Sequence, residues 1–481
     1  MFLPIIIAAV LAGAPREQVL DAFDLAAPFA TQPNLRRVYI DRTVSLDLTE
    51  VNQFDLDISA DPPACVGEVS LYFKSGDGWY SAGSGLKADG WHTLSFIRTL
   101  FRTEDRPAGW NKIDGIRIAV WRGAAHDGRI RVGRLATVRW QLDRVAPKPN
   151  EARAFWNHSG TGAYPGDWER TARELAAAGF TMVFPNMLWA GRAHYPSDLL
   201  PPSDTLRQHG DQVAACVTAA HRHGLQVHVW KVNHYLLGAP AEFIEKLRRE
   251  GRTQVSAAGK PMDWLCPSHP LNFQLERDSM LEVARKYNVD GLQFDYIRYP
   301  NGDCCYCPGC RERFEAADGR PVDAWPKDCY TGPRRDEYRR WRCEQITRLV
   351  EAVHREAKKI RPGIKISAAV FGAYPDCRQS VGQDWVAWTQ AGCVDFVCPM
   401  DYTESDGQFA SLVVNQAKLI GGRVPFYPGI GATASHSALS PQRVLDQIRL
   451  ARGLGADGFT IFNLDRATIQ SLAPALGLRV K

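Results

Sequence analysis

Beyond residue 150, mainly apolar runs of strand length alternate with amphipathic stretches, and the pair recurs eight times. The runs are Ala152–His158, Phe180–Met187, Leu225–Asn233, Val289–Arg298, Ile364–Gly372, Val394–Tyr402, Arg423–Gly431 and Asp457–Asp465. Strands apolar on both faces need cover on both faces, the situation of a parallel sheet flanked by helices. The segments between them carry ordinary helix punctuation. Asp167 precedes Trp168–Ala178 and Gly179 follows it; Ser440-Pro441 opens another helix; Arg361-Pro362-Gly363 closes Arg339–Ile360. Eight strand–helix units in residues 151–481 predict an α/β fold, a (β/α)8 TIM barrel, with insertions after the third and fourth strands.

Residues 15–145 have a different texture. Short alternating runs, among them Phe54–Ile58, Val69–Phe73, Trp91–Phe96, Ile116–Trp121 and Arg129–Val132, sit between Gly/Asp turn signals. Period-two alternation marks strands with one buried face. The region predicts a small all-β sandwich, jelly-roll-like, ahead of the barrel. Trp79, Tyr80, Trp91, Trp110 and Trp121 are expected mostly to fill its core, the alternative being a face that stacks sugar rings. Residues 146–150, polar and containing Pro147 and Pro149, read as the linker. At the start, the apolar run Phe2–Ala14 ends in Ala12-Gly13-Ala14, so residues 1–14 are expected to be a signal peptide and the protein secreted or periplasmic. No apolar run has the length of a transmembrane segment. Lys+Arg number 58 against 53 Asp+Glu, without a basic run, which argues against a nucleic-acid partner. The 14 Trp, 15 Tyr and 20 Phe instead suit a flat, weakly charged ligand such as a sugar ring. Oligomeric state is left open.

In a TIM barrel the chemistry sits at the C-terminal ends of the strands. Those ends carry Trp156, Asn157 and His158 on strand one, and Asn186 on strand two with Trp189 and His194 just beyond. Strand three contributes Trp230, Lys231 and Asn233; strand four contributes Asp295, Arg298 and Tyr299. Strand six ends in Met400, Asp401, Tyr402 and Glu404, and strand eight in Asn463 and Asp465. Polar residues at so many ends, beside aromatics, predict a site for a polysaccharide or oligosaccharide. Trp156, Trp189 and Trp230 are the expected subsite walls. His158 and His194 either bond sugar hydroxyls or satisfy backbone groups. Asp295 is the leading catalytic residue. A carboxylate between Phe294 and Tyr296 is either ion-paired, with Arg298 close by, or an acid whose pKa burial has raised, and the second reading is preferred. Asp401 is the expected second carboxylate. Two suffice for glycoside hydrolysis: one protonates the leaving oxygen, the other attacks or activates water. Glu404 and Asp465 are reserves. Strict alternation would turn Asp401 sideways while Met400 and Tyr402 face inward.

Several segments together resemble the glycoside-hydrolase-like family ten barrels of bacteria. They are Phe155–Trp168, Phe184–Trp189, Phe294-Asp-Tyr-Ile-Arg-Tyr-Pro300, Val381-Gly-Gln-Asp-Trp385 and Pro399-Met-Asp-Tyr-Thr403. The resemblance covers the barrel and implies an exported enzyme that hydrolyses glycans, with N-acetylhexosamine polymers such as stripped peptidoglycan strands as the substrate class. A more distant likeness runs to the family-18 chitinases, whose strand-four pattern is D-G-x-D-x-D-x-E. Here that stretch reads Asp290-Gly-Leu-Gln-Phe-Asp-Tyr-Ile297, so the chitinase acid position is Ile297, which cannot donate a proton. Asp295 matches the carboxylate that steers the substrate N-acetyl group, and Tyr402 matches a tyrosine that contacts the same group. If Asp295 kept the steering role, the donor would come from Asp401 or Glu404; the reading preferred is that Asp295 is itself the general acid.

Twelve cysteines suit an oxidising compartment. Cys304-Cys305-Tyr-Cys307-Pro-Gly-Cys310 lies in the insertion after strand four, with Cys329 further on. Cys305, Cys307, Cys310 and Cys329 can form disulfides, the reading preferred for an exported chain, or hold a structural zinc, or remain free. Glycoside hydrolysis itself requires no cofactor. Two other functions compete. A metal-dependent glycan deacetylase would need paired His/Asp ligands, and His221-x-His223 falls in a helix rather than at a strand end. A catalytically inactive glycan-binding protein would keep the aromatics without turnover.

Overall fold

The computed structural model describes residues 21–24, 36–86, 90–98, 101–124, 128–138, 142 and 144–477. The expected signal peptide, residues 1–14, lies outside the described residues. Among those described, no helix is long and apolar enough to cross a membrane. The chain divides into two compact units, Met1–Leu142 and Asp143–Lys481.

The first unit contains β1 (Asp21–Asp24), β2 (Arg37–Leu46), β3 (Gln53–Asp61), β4 (Val66–Ser84), β5 (Gly90–Ile97), β6 (Arg102–Pro107), β7 (Ile113–Arg122) and β8 (Arg129–Val138). They form two four-stranded antiparallel sheets, ordered β1-β8-β3-β5 and β2-β7-β4-β6. Alternation sends Phe54, Leu56 and Ile58 of β3 and Val69, Leu71 and Phe73 of β4 into one shared core. The rings of Phe54 and Phe73 meet there with centroids 4.4 Å apart. Tyr80 and Trp110 stack at 4.1 Å against this core. Trp79 and Trp91 are half-buried on the outside, with the guanidinium groups of Arg117 and Arg131 over their rings.

The second unit contains the barrel strands β9 (Ala152–Asn157), β10 (Met182–Trp189), β12 (Gln226–Val232), β15 (Gly291–Asp295), β16 (Lys365–Phe371), β17 (Phe396–Met400), β18 (Gly429–Gly431) and β19 (Gly458–Phe462). All pair in parallel, and the β19–β9 pairing closes the ring. Every strand expected from the apolar runs is present; most are shorter by one to five residues in all, while β10 keeps its length but lies two residues further on and β18 begins six residues later than expected. The short β11 (Arg192–Ala193) pairs with the end of β10, and β13 (Thr253–Val255) with β14 (Pro261–Leu265) makes a hairpin in the long third connection.

The helix ends follow their sequence signals. Asp167 caps Trp168–Ala177 by accepting from Arg170 N–H at 2.9 Å, and Gly179 behind it has φ +73°. Ser440 caps Pro441–Gly453, and Asp384 caps Trp385–Gln390. The stretch 146–150 packs with the second unit. Val145 N–H donates to Ala475 O (2.9 Å), and Ala146 O accepts from Arg452 Nη2 (2.8 Å), so the chain is held at the barrel from residue 145 onward.

Candidate active site

Parity decides which strand-end residues reach the barrel interior. Side chains on a strand alternate between faces, so residues two apart share one. Ala152, Ala154 and Trp156 of β9, Trp230 and Val232 of β12, Cys398 and Met400 of β17, and Phe462 of β19 all join one interior cluster. On β15, Gln293 belongs to this face, because Trp156 Nε1 donates to Gln293 Oε1 at 2.6 Å. Asp295, two residues on, takes the same face at the strand's C-terminal end.

Asp295 is only 5% exposed. Its Oδ1 accepts from the N–H of Tyr296 at 2.7 Å. Burial pushes its pKa up to about 6, against smaller downward pulls from that N–H, from Arg298 and from Trp230. Arg298 does not hold it in a hydrogen bond or ion pair. The guanidinium donates to the carbonyls of Tyr299 and Pro300 and lies over the rings of Tyr296 (4.6 Å), Phe371 (4.9 Å) and Trp264 (5.4 Å). Trp230 Nε1 is buried and near enough to Asp295 to lower its pKa slightly, though without a hydrogen bond of full geometry. Tyr296 leaves the strand with φ +51°, a left-handed backbone that side chains rarely adopt.

The walls around Asp295 are aromatic. Trp156 lies 6.2 Å from Tyr402, and Tyr402 lies 5.6 Å from Phe462. Burial and the Asp295 charge raise the Tyr402 hydroxyl well above its usual pKa. His158 is exposed, yet its ring stands 5.7 Å from Trp230, 6.0 Å from Trp189 and 6.1 Å from Phe462. Burial among those rings and the charge of Arg192 lower its pKa. Asn463 Oδ1 accepts from the backbone N–H of His158 at 2.9 Å, tying the ends of β9 and β19 together. A further wall was not anticipated: Tyr235, Trp264 and Tyr296 stack, with centroids 4.8 Å apart for Tyr235–Trp264 and 5.6 Å for Tyr235–Tyr296. Tyr296 directly follows Asp295, and Tyr235 comes two residues after Asn233, a signal the sequence offered. Trp264 comes from the β13–β14 hairpin, far from any barrel strand in sequence.

Other expected site residues face away from the interior. Asp401 is fully buried, accepts from Gln416 Nε2 at 2.7 Å and abuts Gly372, where any Cβ would collide with its carboxylate. Its carboxylate therefore points toward the helix Asp406–Ile420, and burial raises its pKa well above the ordinary range. Alternation explains the difference: Met400 and Tyr402 take the inner face and Asp401 the outer one. Glu404 is exposed and accepts from Ala438 N–H at 3.2 Å. Asp465 caps the helix Arg466–Leu476 through Thr468 N–H at 2.8 Å. Lys231 and Glu276, both fully buried, pair at 3.4 Å, and Asn233 donates to the same Glu276 at 2.7 Å. Asn157 donates to Gly162 O and Leu464 O. His194 meets Ser203 Oγ at 2.6 Å, and burial pushes its pKa down to about 4. Tyr299 is fully buried with Arg342 over its ring at 4.2 Å. Asn186 is the exception: it lies in register with Trp230 and two residues after Phe184, both of the interior cluster, so it takes the inner face, fully buried with neither amide atom paired. The register between β10 and β12 shifts between Asn186 and Leu188, which lets Trp189 rejoin the interior cluster.

None of the cysteines is in a disulfide. The expected zinc set needs a correction as well. Cys305, Cys307 and Cys310 come together in a buried cluster, but with Cys266 rather than Cys329 as the fourth member. Cys329 sits in the separate helix Lys327–Tyr330. The His221-x-His223 pair is committed elsewhere: His221 bonds Asp290 and His223 bonds Glu169, each at 2.8 Å. A cavity of about 350 Å³ opens at the opposite end of the barrel, lined by Gln226, His228, Lys365 and Asp395. These residues begin their strands, the end at which barrels build stability rather than catalysis.

The sequence profile described as Glycosyl hydrolase-like 10 matches residues 166–434, more than half of the chain. The chain belongs to the Glycosyl hydrolase-like 10 family. Among solved structures, this family member is similar in fold to the glycoside hydrolase domain of PgaB (BpsB) from Bordetella bronchiseptica. Identity is 15% and the TM-score 0.50, over 68% of this chain and 99% of that one. It is also similar to a β-galactosidase from the psychrophilic Marinomonas ef1, at 10% identity and a TM-score of 0.49, over 68% of this chain and 59% of that one. No curated protein matches the chain.

Proposed function

We propose that the protein is an exported glycoside hydrolase acting on an N-acetylhexosamine-containing glycan, with Asp295 as the general acid. One observation carries this reading: a carboxyl group held at a pKa of about 6 at the C-terminal end of β15, inside an aromatic mouth. At that pKa a large share of Asp295 is protonated in mildly acidic solution, as a proton donor to a leaving oxygen must be. Tyr402, Phe462, Tyr235 and Tyr296 are partly exposed and offer ring faces of the kind that pack on sugar C–H faces, with Trp156, Trp230 and Trp264 buried behind them.

The placement of Asp401 favours one form of the reaction. With that carboxylate turned outward and Glu404 and Asp465 engaged elsewhere, the attacking group is best supplied by the substrate's own N-acetyl carbonyl. Its oxygen bonds to C1 as the C1–O glycosidic bond breaks, and the Asp295 proton passes to the leaving oxygen. Water then adds at C1 as the bond between C1 and the N-acetyl oxygen breaks and the amide is restored, and the water gives a proton back to Asp295. In this reading Tyr402, close enough to feel the Asp295 charge, holds the N-acetyl group. The same outward turn of Asp401 also favours a second reading, a glycan-binding protein without turnover.

Digestion of a glycan panel followed by mass spectrometry separates the two. Cleavage by the wild type, lost in Asp295→Asn with sugar affinity retained, supports the hydrolase. Binding without cleavage of any glycan by the wild type supports the binding protein. Release of acetate without cleavage of the glycan, abolished by a chelator and restored by added metal, would instead support a deacetylase-type metal enzyme.

A further inference from the structure

The connection that follows β15 folds back against the β13–β14 hairpin. Ser256 pairs with Cys304, Tyr306 N–H donates to Val255 O at 2.7 Å, and Ala257 N–H donates to Asp303 O at 3.1 Å. Where the two segments meet, four sulfur atoms converge. Cys266 directly follows β14; Cys305, Cys307 and Cys310 come from the insertion, with Cys307 at the start of the helix Pro308–Asp318. All four are buried, and their sulfurs lie within 4.8 Å of one another.

The separations decide between the chemistries open to such a cluster. Cys266 Sγ is 3.4 Å from Cys310 Sγ and 3.9 Å from Cys307 Sγ. A disulfide would require about 2.05 Å. Four thiolates held at about 2.3 Å from a tetrahedral zinc stand about 3.8 Å from one another. The observed distances bracket that value. Four ligands from the protein would also close the coordination shell, the arrangement of a structural rather than a catalytic zinc.

We propose that Cys266, Cys305, Cys307 and Cys310 form a tetrathiolate zinc site that staples the β13–β14 hairpin to the insertion beside the barrel mouth. The surroundings suit the net negative charge of a zinc tetrathiolate. Ser268 Oγ lies 3.3 Å from both Cys266 Sγ and Cys310 Sγ. Arg313 donates to Ser268 Oγ at 3.0 Å, and its Nη2 stands 3.9 Å from Cys266 Sγ. Such outer partners orient thiolates and offset their charge. Each thiol gives up its proton as the metal binds, so loading weakens in acid. The site also reaches the sugar wall, because Trp264 lies two residues before Cys266 and stacks on Tyr235 and Tyr296.

Metal analysis of the purified full chain tests the proposal directly. The expected result is one zinc per chain, lost in the Cys305→Ser/Cys310→Ser double variant and kept in Cys329→Ser. Exchange with Co²⁺ in the wild type should give the charge-transfer and d–d bands of a tetrahedral tetrathiolate centre, a readout that stands even if the double variant does not fold. A wild-type chain without zinc that also gives no cobalt spectrum overturns the site. So do disulfide-linked peptides joining these cysteines in a non-reduced digest, and stoichiometric iron in place of zinc overturns the metal assignment. These outcomes are independent of whether the mouth cleaves glycans.

Discussion

Because burial raises Asp295 to a pKa of about 6 in the folded chain, against 3.8 for the free side chain, folding should respond to pH through this group, and so should turnover under the proposed role of Asp295. Between those values the native state binds more protons than the unfolded state, so stability falls as pH rises from about 4 to about 6 and stays lower above that. About two pKa units at 1.36 kcal/mol each make the penalty roughly 3 kcal/mol. Asp295→Asn should therefore be more stable than the wild type near neutral pH, with the gap closing at about pH 4 and below, as measured by denaturant unfolding across pH. The same variant should lose roughly 10²–10⁴-fold in turnover, and wild-type turnover should fall as pH rises through about 6. Lys231 gives the opposite kind of test. Its partner Glu276 is also fully buried, so Lys231→Met should cost about 3–5 kcal/mol by leaving a charge unpaired. Denaturant unfolding measures that loss, and turnover per folded molecule should be unchanged, since Lys231 faces away from the mouth.

Elements set which residues can act together. Strand parity delivers Trp156, Trp230, Asp295 and Met400 to the interior, and it sends Asn157, Lys231, Asn233 and Asp401 outward. The register shift in β10 is the exception that brings Trp189 back. Parity is readable from a sequence once the phase of each strand is known; the phase of strand six was the undecided point, and the Asp401–Gln416 bond resolves it. Asp465 looked like a site acid at a strand end but works as a helix cap. Asp465→Ala should lower stability by about 1 kcal/mol in thermal unfolding and leave kcat/KM unchanged. The stacked wall predicts the reverse. Tyr235→Ala should raise KM on oligosaccharides by about fivefold, at about 1 kcal/mol for the lost ring contact, with kcat little altered.

At the scale of the whole molecule, the first unit has a core of its own, centred on Phe54, Phe73 and Leu71, and the second has the barrel interior. Separate cores unfold as separate cooperative units. Calorimetry of the full chain should show two transitions, and a chain of residues 143–481 should keep the second one together with any glycan turnover. The repeating apolar and amphipathic pattern determined the barrel, because each strand must be covered on both faces and each helix on one. It also named the strand ends and singled out Asp295, since a charge inside a greasy run stands out without any coordinates. Chain closure through space decided the rest. Trp264 and Cys266 reach the mouth and the sulfur cluster from a distant hairpin, Cys329 is left out, and Asp401 turns toward a helix. Such choices depend on which side of a strand a residue occupies and which loops fold over it. These are contacts between residues far apart in the chain, and local sequence pattern does not carry them.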